Sequence, residues 1–244
     1  MTPGDEAYIR RRFAAAAIEP WPFPHLYIPD VLPPDVYRAM DVAQPSEDAW
    51  SDAIRQRQLD RLRANQGRFQ LVPAPLRLRL ANLPPDQISF SFHHRDAAGE
   101  LALYAQVWRD RFLPYVDLID GLLLDALGVA AQASRGQREM SFCAAGWAIK
   151  PHWHGDAELT NALIYFPSEQ NTRAQGTYLY DVREPAASGA GSEFDPQTIG
   201  GAHLCEYAPN TLVAWVNSRH SAHGSVAMPD DPPRRYVYMT TRRV

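Results

Sequence analysis

The chain has 244 residues, 45% of them hydrophobic and 21% charged, which is an ordinary globular composition long enough to bury a substantial core. Its net charge of −4 gives no electrostatic reason to expect nucleic acid or an anionic membrane as a partner. Its two cysteines, Cys143 and Cys205, form no CxxC pair, which argues against a disulfide framework and fits a reducing, cytoplasmic setting, and no apolar run approaches the roughly 18–20 residues of a membrane span.

Helical periodicity dominates residues 1–137. The stretch "PPDVYRAMDVA" (Pro33–Ala43) has proline just inside a helix start, with Leu32, Val36 and Met40 four apart. Glu47–Gln66 is charged and helix-compatible. Gly99–Val129 carries apolar residues at helical spacing; Pro114 kinks or splits it and Gly128 stops it.

After Arg138 the pattern becomes strand-like: short aromatic and β-branched runs punctuated by Pro, Gly and Asn. Seven or eight such strands behind a helical half predict a mostly β fold with N-terminal helices. Its core would be a jelly roll, a cupin-like double-stranded β-helix with helices packed on one sheet. Arg183–Gly201 is too short for a domain, so one domain is expected over 1–244, with 1–137 as support and 138–244 as core. That segment would be a mobile loop at one barrel mouth.

The chemistry concentrates in "PHWHGD", Pro151–Asp156. On an extended chain His152, His154 and Asp156 face one way. Far downstream, "NSRHSAHGSV" supplies His220 and His223, and Arg234 and Arg235 open the last strand. A His-x-carboxylate pair with a remote histidine makes a 2-His-1-carboxylate face, which leaves three positions open on a six-coordinate Fe(II). An arginine nearby can grip a carboxylate through its guanidinium fork.

These four elements in order resemble the Fe(II)/2-oxoglutarate-dependent dioxygenases. The start "PWPFPHLYIPDVLPPDVYRAM", the strand "GTYLYD" and the segment "NTLVAWVNSRHSAHGSV" are similar to the prolyl-hydroxylase-like branch and to oxygenases of bacterial biosynthetic clusters. The resemblance spans most of the chain but not Trp50–Gly99. It implies Fe(II), 2-oxoglutarate and O2 as cofactor and cosubstrates, with succinate and CO2 formed as a small-molecule substrate is oxidised. It also implies His154, Asp156 and His223 as catalytic metal ligands, and Arg235 or Arg234 as the binder of the distal 2-oxoglutarate carboxylate.

In that family the first ligand often follows "PH", which here is His152. One register therefore uses His152 and His154 and leaves an all-histidine face. The other uses His154 and Asp156, with His152 lining the pocket, and ligand chemistry favours it because a carboxylate offsets one unit of Fe(II) charge. With Asp156 as ligand, hydroxylation, desaturation or cyclisation is favoured over halogenation. Arg235 shares a face with Val237 and Met239, which favours it over Arg234 as the inward clamp.

Taken singly, His25, His93 and His203 read as structural, and His220 as a loop residue. Trp147, Trp153 and Trp215 read as core, with Trp153 packed beneath the helices. Two rival functions remain: a peptide hydroxylase with an open groove, and a cupin-like module that binds Zn(II) or a sugar without turnover.

Overall fold

The computed structural model describes residues 1–44, 90–92, 107–129, 133–143, 149–188, 194–225 and 232–243. The helix expected over Glu47–Gln66, together with His93 and Trp147, lies outside them. Two antiparallel sheets face each other. The larger has the order β1 (Ile18–Glu19), β2 (His25–Ile28), β9 (Leu212–Val216), β6 (Glu158–Tyr165), β11 (Arg234–Arg243), β4 (Ala133–Cys143), β3 (Phe90–Phe92). The smaller has the order β5 (Ile149–His152), β10 (Ala222–Ser225), β7 (Thr177–Val182), β8 (Ile199–Cys205).

From β4 onward the chain crosses between sheets: β4, β6, β9 and β11 lie in the larger one, and β5, β7, β8 and β10 in the smaller. This alternation of eight strands makes a jelly roll. It arises from period-2 patterning with a different partner on each face. In β6, Ala162 and Ile164 face the helices while Leu163 and Tyr165 face the smaller sheet. In β9 the division is Leu212 and Ala214 against Val213 and Trp215; in β11 it is Val237 and Met239 against Tyr236.

Helices cover the outer face of the larger sheet: α1 (Pro3–Ala14), α2 (Pro34–Val42) and α3 (Leu113–Ala126). Ile9, Val36, Met40, Val116, Ile119 and Leu123 complete the main core there. Burying each such side chain contributes about 1.5–3 kcal/mol. Thr2 caps α1 reciprocally, accepting from the Asp5 N–H at 3.2 Å while its own N–H donates to Asp5 Oδ2 at 2.8 Å. The Tyr115 hydroxyl also donates to Asp5 Oδ2, at 2.8 Å, tying α1 to α3.

Pro114 does not split its helix. One π turn, Trp108–Phe112, precedes it and α3 continues beyond. A π turn accommodates a residue that cannot donate to the helical ladder. Gly128, at φ 66°, ends the helix as expected.

The half expected to be helical also holds β1, β2 and β3, which extend the larger sheet at both ends. These runs are two to four residues long, too short for periodicity to reveal. Trp153 is buried, but not beneath the helices: it packs with Tyr180, Val182, Ala186 and Phe194. The helices cover the other sheet, and the segment after β7 folds back over Trp153, with the Phe194 N–H donating to Pro151 O at 2.8 Å. Of the expected loop Arg183–Gly201, residues 199–201 belong to β8 and residues 189–193 lie outside those described. Among the described residues, no helix is long and apolar enough to cross a membrane.

Candidate metal centre

The sheet register assembles the centre. His223 on β10 is the direct partner of His152 on β5. Three residues past the end of β5, Gly155 takes φ 85° and turns the chain. Asn217 fastens that turn, its amide donating to Gly155 O at 2.7 Å and Glu158 O at 3.0 Å, and its Oδ1 accepting from the His154 N–H at 3.4 Å. His154 is thereby held beside the other two rings.

The nitrogen donors of His152, His154 and His223 all lie within 4.8 Å of one another. His152 Nδ1 meets Lys150 O at 2.9 Å and His223 Nδ1 meets Ser221 O at 3.0 Å. A carbonyl only accepts, so each of these nitrogens carries the proton and each Nε2 keeps its lone pair. His154 Nδ1 lies 3.3 Å from the Tyr238 hydroxyl, whose own proton goes to Asn161 Oδ1 at 2.7 Å, so this nitrogen too carries its proton, with Glu158 Oε2 2.9 Å away as its ionic partner. Three lone pairs therefore converge, with Nε2–Nε2 separations of 3.2 Å (152–154) and 3.0 Å (154–223).

Such an arrangement is repulsive without a cation among the nitrogens, and its dimensions suit one. At metal–nitrogen bonds of about 2.1 Å, neighbouring positions of an octahedron lie about 3.0 Å apart. Burial, followed by the closeness of the His152 and His154 imidazoles, which would repel a second positive ring, holds the His223 imidazole well below its ordinary pKa, so it stays neutral and able to ligate.

Glu158 supplies the negative charge that three neutral imidazoles lack. Burial raises its carboxyl pKa, but the contact with His154 and the pairing with Arg242 at 3.3 Å outweigh this and leave it below the usual range. A carboxylate on the outer nitrogen of a ligating histidine fixes the ring and raises its basicity.

Asp156, in contrast, is exposed on the turn and is not part of the three-residue group. The glycine at φ 85° breaks the extended geometry that would have kept Asp156 on the side of His152 and His154. Glu158 was not anticipated: a carboxylate at the head of a strand carries no signal until the strand's register is known.

Beneath the histidines, a cavity of about 210 Å³ is lined by Thr177, Trp215, Arg234, Tyr236 and Tyr238, among others. The Trp215 ring lies 4.5 Å from that of His223. Arg234 is 4% exposed, with its guanidinium carbon 5.4 Å from the Tyr207 ring and 5.7 Å from the Tyr236 ring. Its Nε has no hydrogen-bond partner. Arg235 points the other way and pairs with Asp41 of α2 at 3.1 Å. The apolar neighbours Val237 and Met239, which had suggested an inward face for Arg235, face the helix-covered core, while the cavity face is the aromatic one. His220 is exposed on the turn before β10.

No protein-family model and no curated protein matches the sequence. Similar solved structures include a Pseudomonas putida prolyl-4-hydroxylase (14% identity, TM-score 0.47, covering 98% of this chain and 99% of that one). Another is a Trichoplax adhaerens prolyl hydroxylase in complex with a hypoxia inducible factor oxygen degradation domain peptide (11%, TM-score 0.49, 97% and 88%). A third is the epimerase SnoN in complex with Fe3+, alpha-ketoglutarate and nogalamycin RO (12%, TM-score 0.48, 98% and 85%). Prolyl hydroxylases, the branch that the sequence motifs resemble, are thus among the structures this chain is similar to. The jelly roll itself is established by the chain's own strand order.

Proposed function

We propose that the chain is a non-haem Fe(II)- and 2-oxoglutarate-dependent oxygenase acting on a small molecule. The substrate, 2-oxoglutarate and O2 would become the hydroxylated product, succinate and CO2. The observation that carries this reading is the convergence of three Nε2 lone pairs above a cavity that also holds a buried arginine with an unpartnered Nε.

His152, His154 and His223 would hold the iron. Iron bound there would supply the activation of O2, which no side chain can perform. Three nitrogens on one face leave the opposite face open for a bidentate cosubstrate and a gas molecule. Arg234 would hold the distal carboxylate of 2-oxoglutarate: a buried guanidinium needs an anion, and its fork matches a carboxylate. Trp215, Leu163 and Tyr236 line the same cavity and limit the water around the reacting groups.

This assignment replaces Asp156 with His152 in the ligand set, with Glu158 returning the charge through His154. The test is succinate production from 2-oxoglutarate by the Fe(II)-loaded chain under air. Succinate forming in the parent protein and failing to form in His223→Ala is the expected result. Tight metal binding with no succinate, whatever the small molecule added, would favour the cupin-like binding module instead.

A further inference from the structure

A second group of ligand-type side chains lies at the seam where the edges of the two sheets meet. His25 opens β2 and Glu19 closes β1, at one edge of the larger sheet. His203 and Cys205 alternate on β8, the edge of the smaller sheet, and so share a face. The donor atoms of His25, His203 and Cys205 lie within 4.8 Å of one another. Glu19 Oε2 lies 3.7 Å from His25 Nε2 and 3.9 Å from His203 Nε2.

His25 is 0% exposed. Its Nδ1 meets Phe23 O at 2.9 Å and therefore carries the proton, leaving Nε2 with a bare lone pair. That Nε2 is buried with no hydrogen-bond partner and is aimed toward a carboxylate oxygen. Lone pair against carboxylate is unfavourable unless a cation lies between them.

We propose that Glu19, His25, His203 and Cys205 form a second, tetrahedral metal site of the structural zinc type. With metal–ligand bonds of about 2.0–2.3 Å, tetrahedral ligands lie about 3.3–3.8 Å apart, a few tenths of an ångström inside the two Glu19 separations and wider than the spacing of the three-histidine centre. Two imidazoles, one thiolate and one carboxylate fill four positions and leave none open. Thiolate and imidazole select zinc over the oxygen-seeking magnesium and calcium. The thiolate and carboxylate together neutralise a divalent ion, which suits a site where Cys205 is 1% exposed. On binding, the Cys205 thiol releases its proton to solvent as the sulfur–metal bond forms.

The ion has a route in. Glu19 and His203 side chains are 49% and 31% exposed, and the half-exposed Trp21 stands edge-on to His203 with centroids 6.1 Å apart. The two centres are separate. Leu179 on β7 pairs with His203 on one side and His223 on the other, so these histidines lie two strands, about 10 Å, apart. The ion would staple the edges of the two sheets together.

The test uses untagged, metal-free full-length protein titrated with Zn(II) and with Co(II). Two ions should bind per chain, and Co(II) should give a near-ultraviolet thiolate charge-transfer band. Cys205→Ser should abolish that band, reduce the stoichiometry to one and remove part of the zinc-dependent rise in Tm. His203→Ala, at a part-exposed position, should weaken the same band with the fold intact by circular dichroism. His152→Ala should leave the band in place, which separates this site from the three-histidine centre. Absence of the band in the parent protein, or its survival in Cys205→Ser, would overturn the proposal.

Discussion

His152 and His223 stand directly opposite each other on β5 and β10, with ring centroids 4.3 Å apart. Direct cross-strand partners project to the same face, so backbone pairing alone brings their rings together. Asp156 has no such constraint, lying beyond the glycine turn. The account therefore predicts that Asp156→Ala retains Fe(II) binding, whereas His152→Ala loses it. Equilibrium dialysis of both variants against Fe(II) under anaerobic conditions checks this.

Glu158→Gln keeps the side chain's shape and removes its charge. Loss of such an outer partner typically costs about 10–100-fold in metal affinity, and that is the expected drop. An unchanged dissociation constant would mean that the carboxylate 2.9 Å from His154 Nδ1 does not tune the centre.

The two neighbouring arginines should separate cleanly. Arg234→Leu should raise the 2-oxoglutarate concentration needed for half-maximal succinate formation by at least about 30-fold, since removing one partner of a buried charge pair costs about 2–5 kcal/mol. Arg235→Leu breaks only the part-exposed pair with Asp41 and should cost about 0–1 kcal/mol of stability, with the 2-oxoglutarate requirement unchanged. The opposite ranking would return the clamp to the outer face of β11.

Acid should unlatch the N-terminal helix. The Asp5 carboxyl is held below its ordinary pKa first by the hydrogen bond from the Thr2 backbone, with the Tyr115 hydroxyl adding to it. A depressed folded-state value means stabilisation that is present above the unfolded pKa, about 3.9, and is lost as pH falls through the lower folded value. Asp5→Asn should cost about 1 kcal/mol at pH 7, and the Tm gap from the parent protein should shrink near pH 3. A gap of constant size would assign the effect to packing rather than charge.

The β half of the fold and the helix over α2 were legible in the sequence because their signals are local. Alternation in β6, β9 and β11 matches their two buried faces, and Val36 and Met40 share one helix face. Pairing is not local, and the remaining features depend on it. The short strand at His25 becomes visible only as the neighbour of β9, and Glu158 becomes a partner of His154 only after the Gly155 turn. Both arginines were readable as clamp candidates, but the choice between them was not. It turns on which face of β11 the helices cover, and the apolar face of a strand in a layered fold need not be the one that lines the site.

The most direct test of the three-histidine centre is the anaerobic visible spectrum of the chain with Fe(II) and 2-oxoglutarate added together. The account predicts a weak metal-to-ligand charge-transfer band in the parent protein and in Asp156→Ala, and none in His152→Ala. No band in the parent protein, or a band kept in His152→Ala and lost in Asp156→Ala, would contradict it.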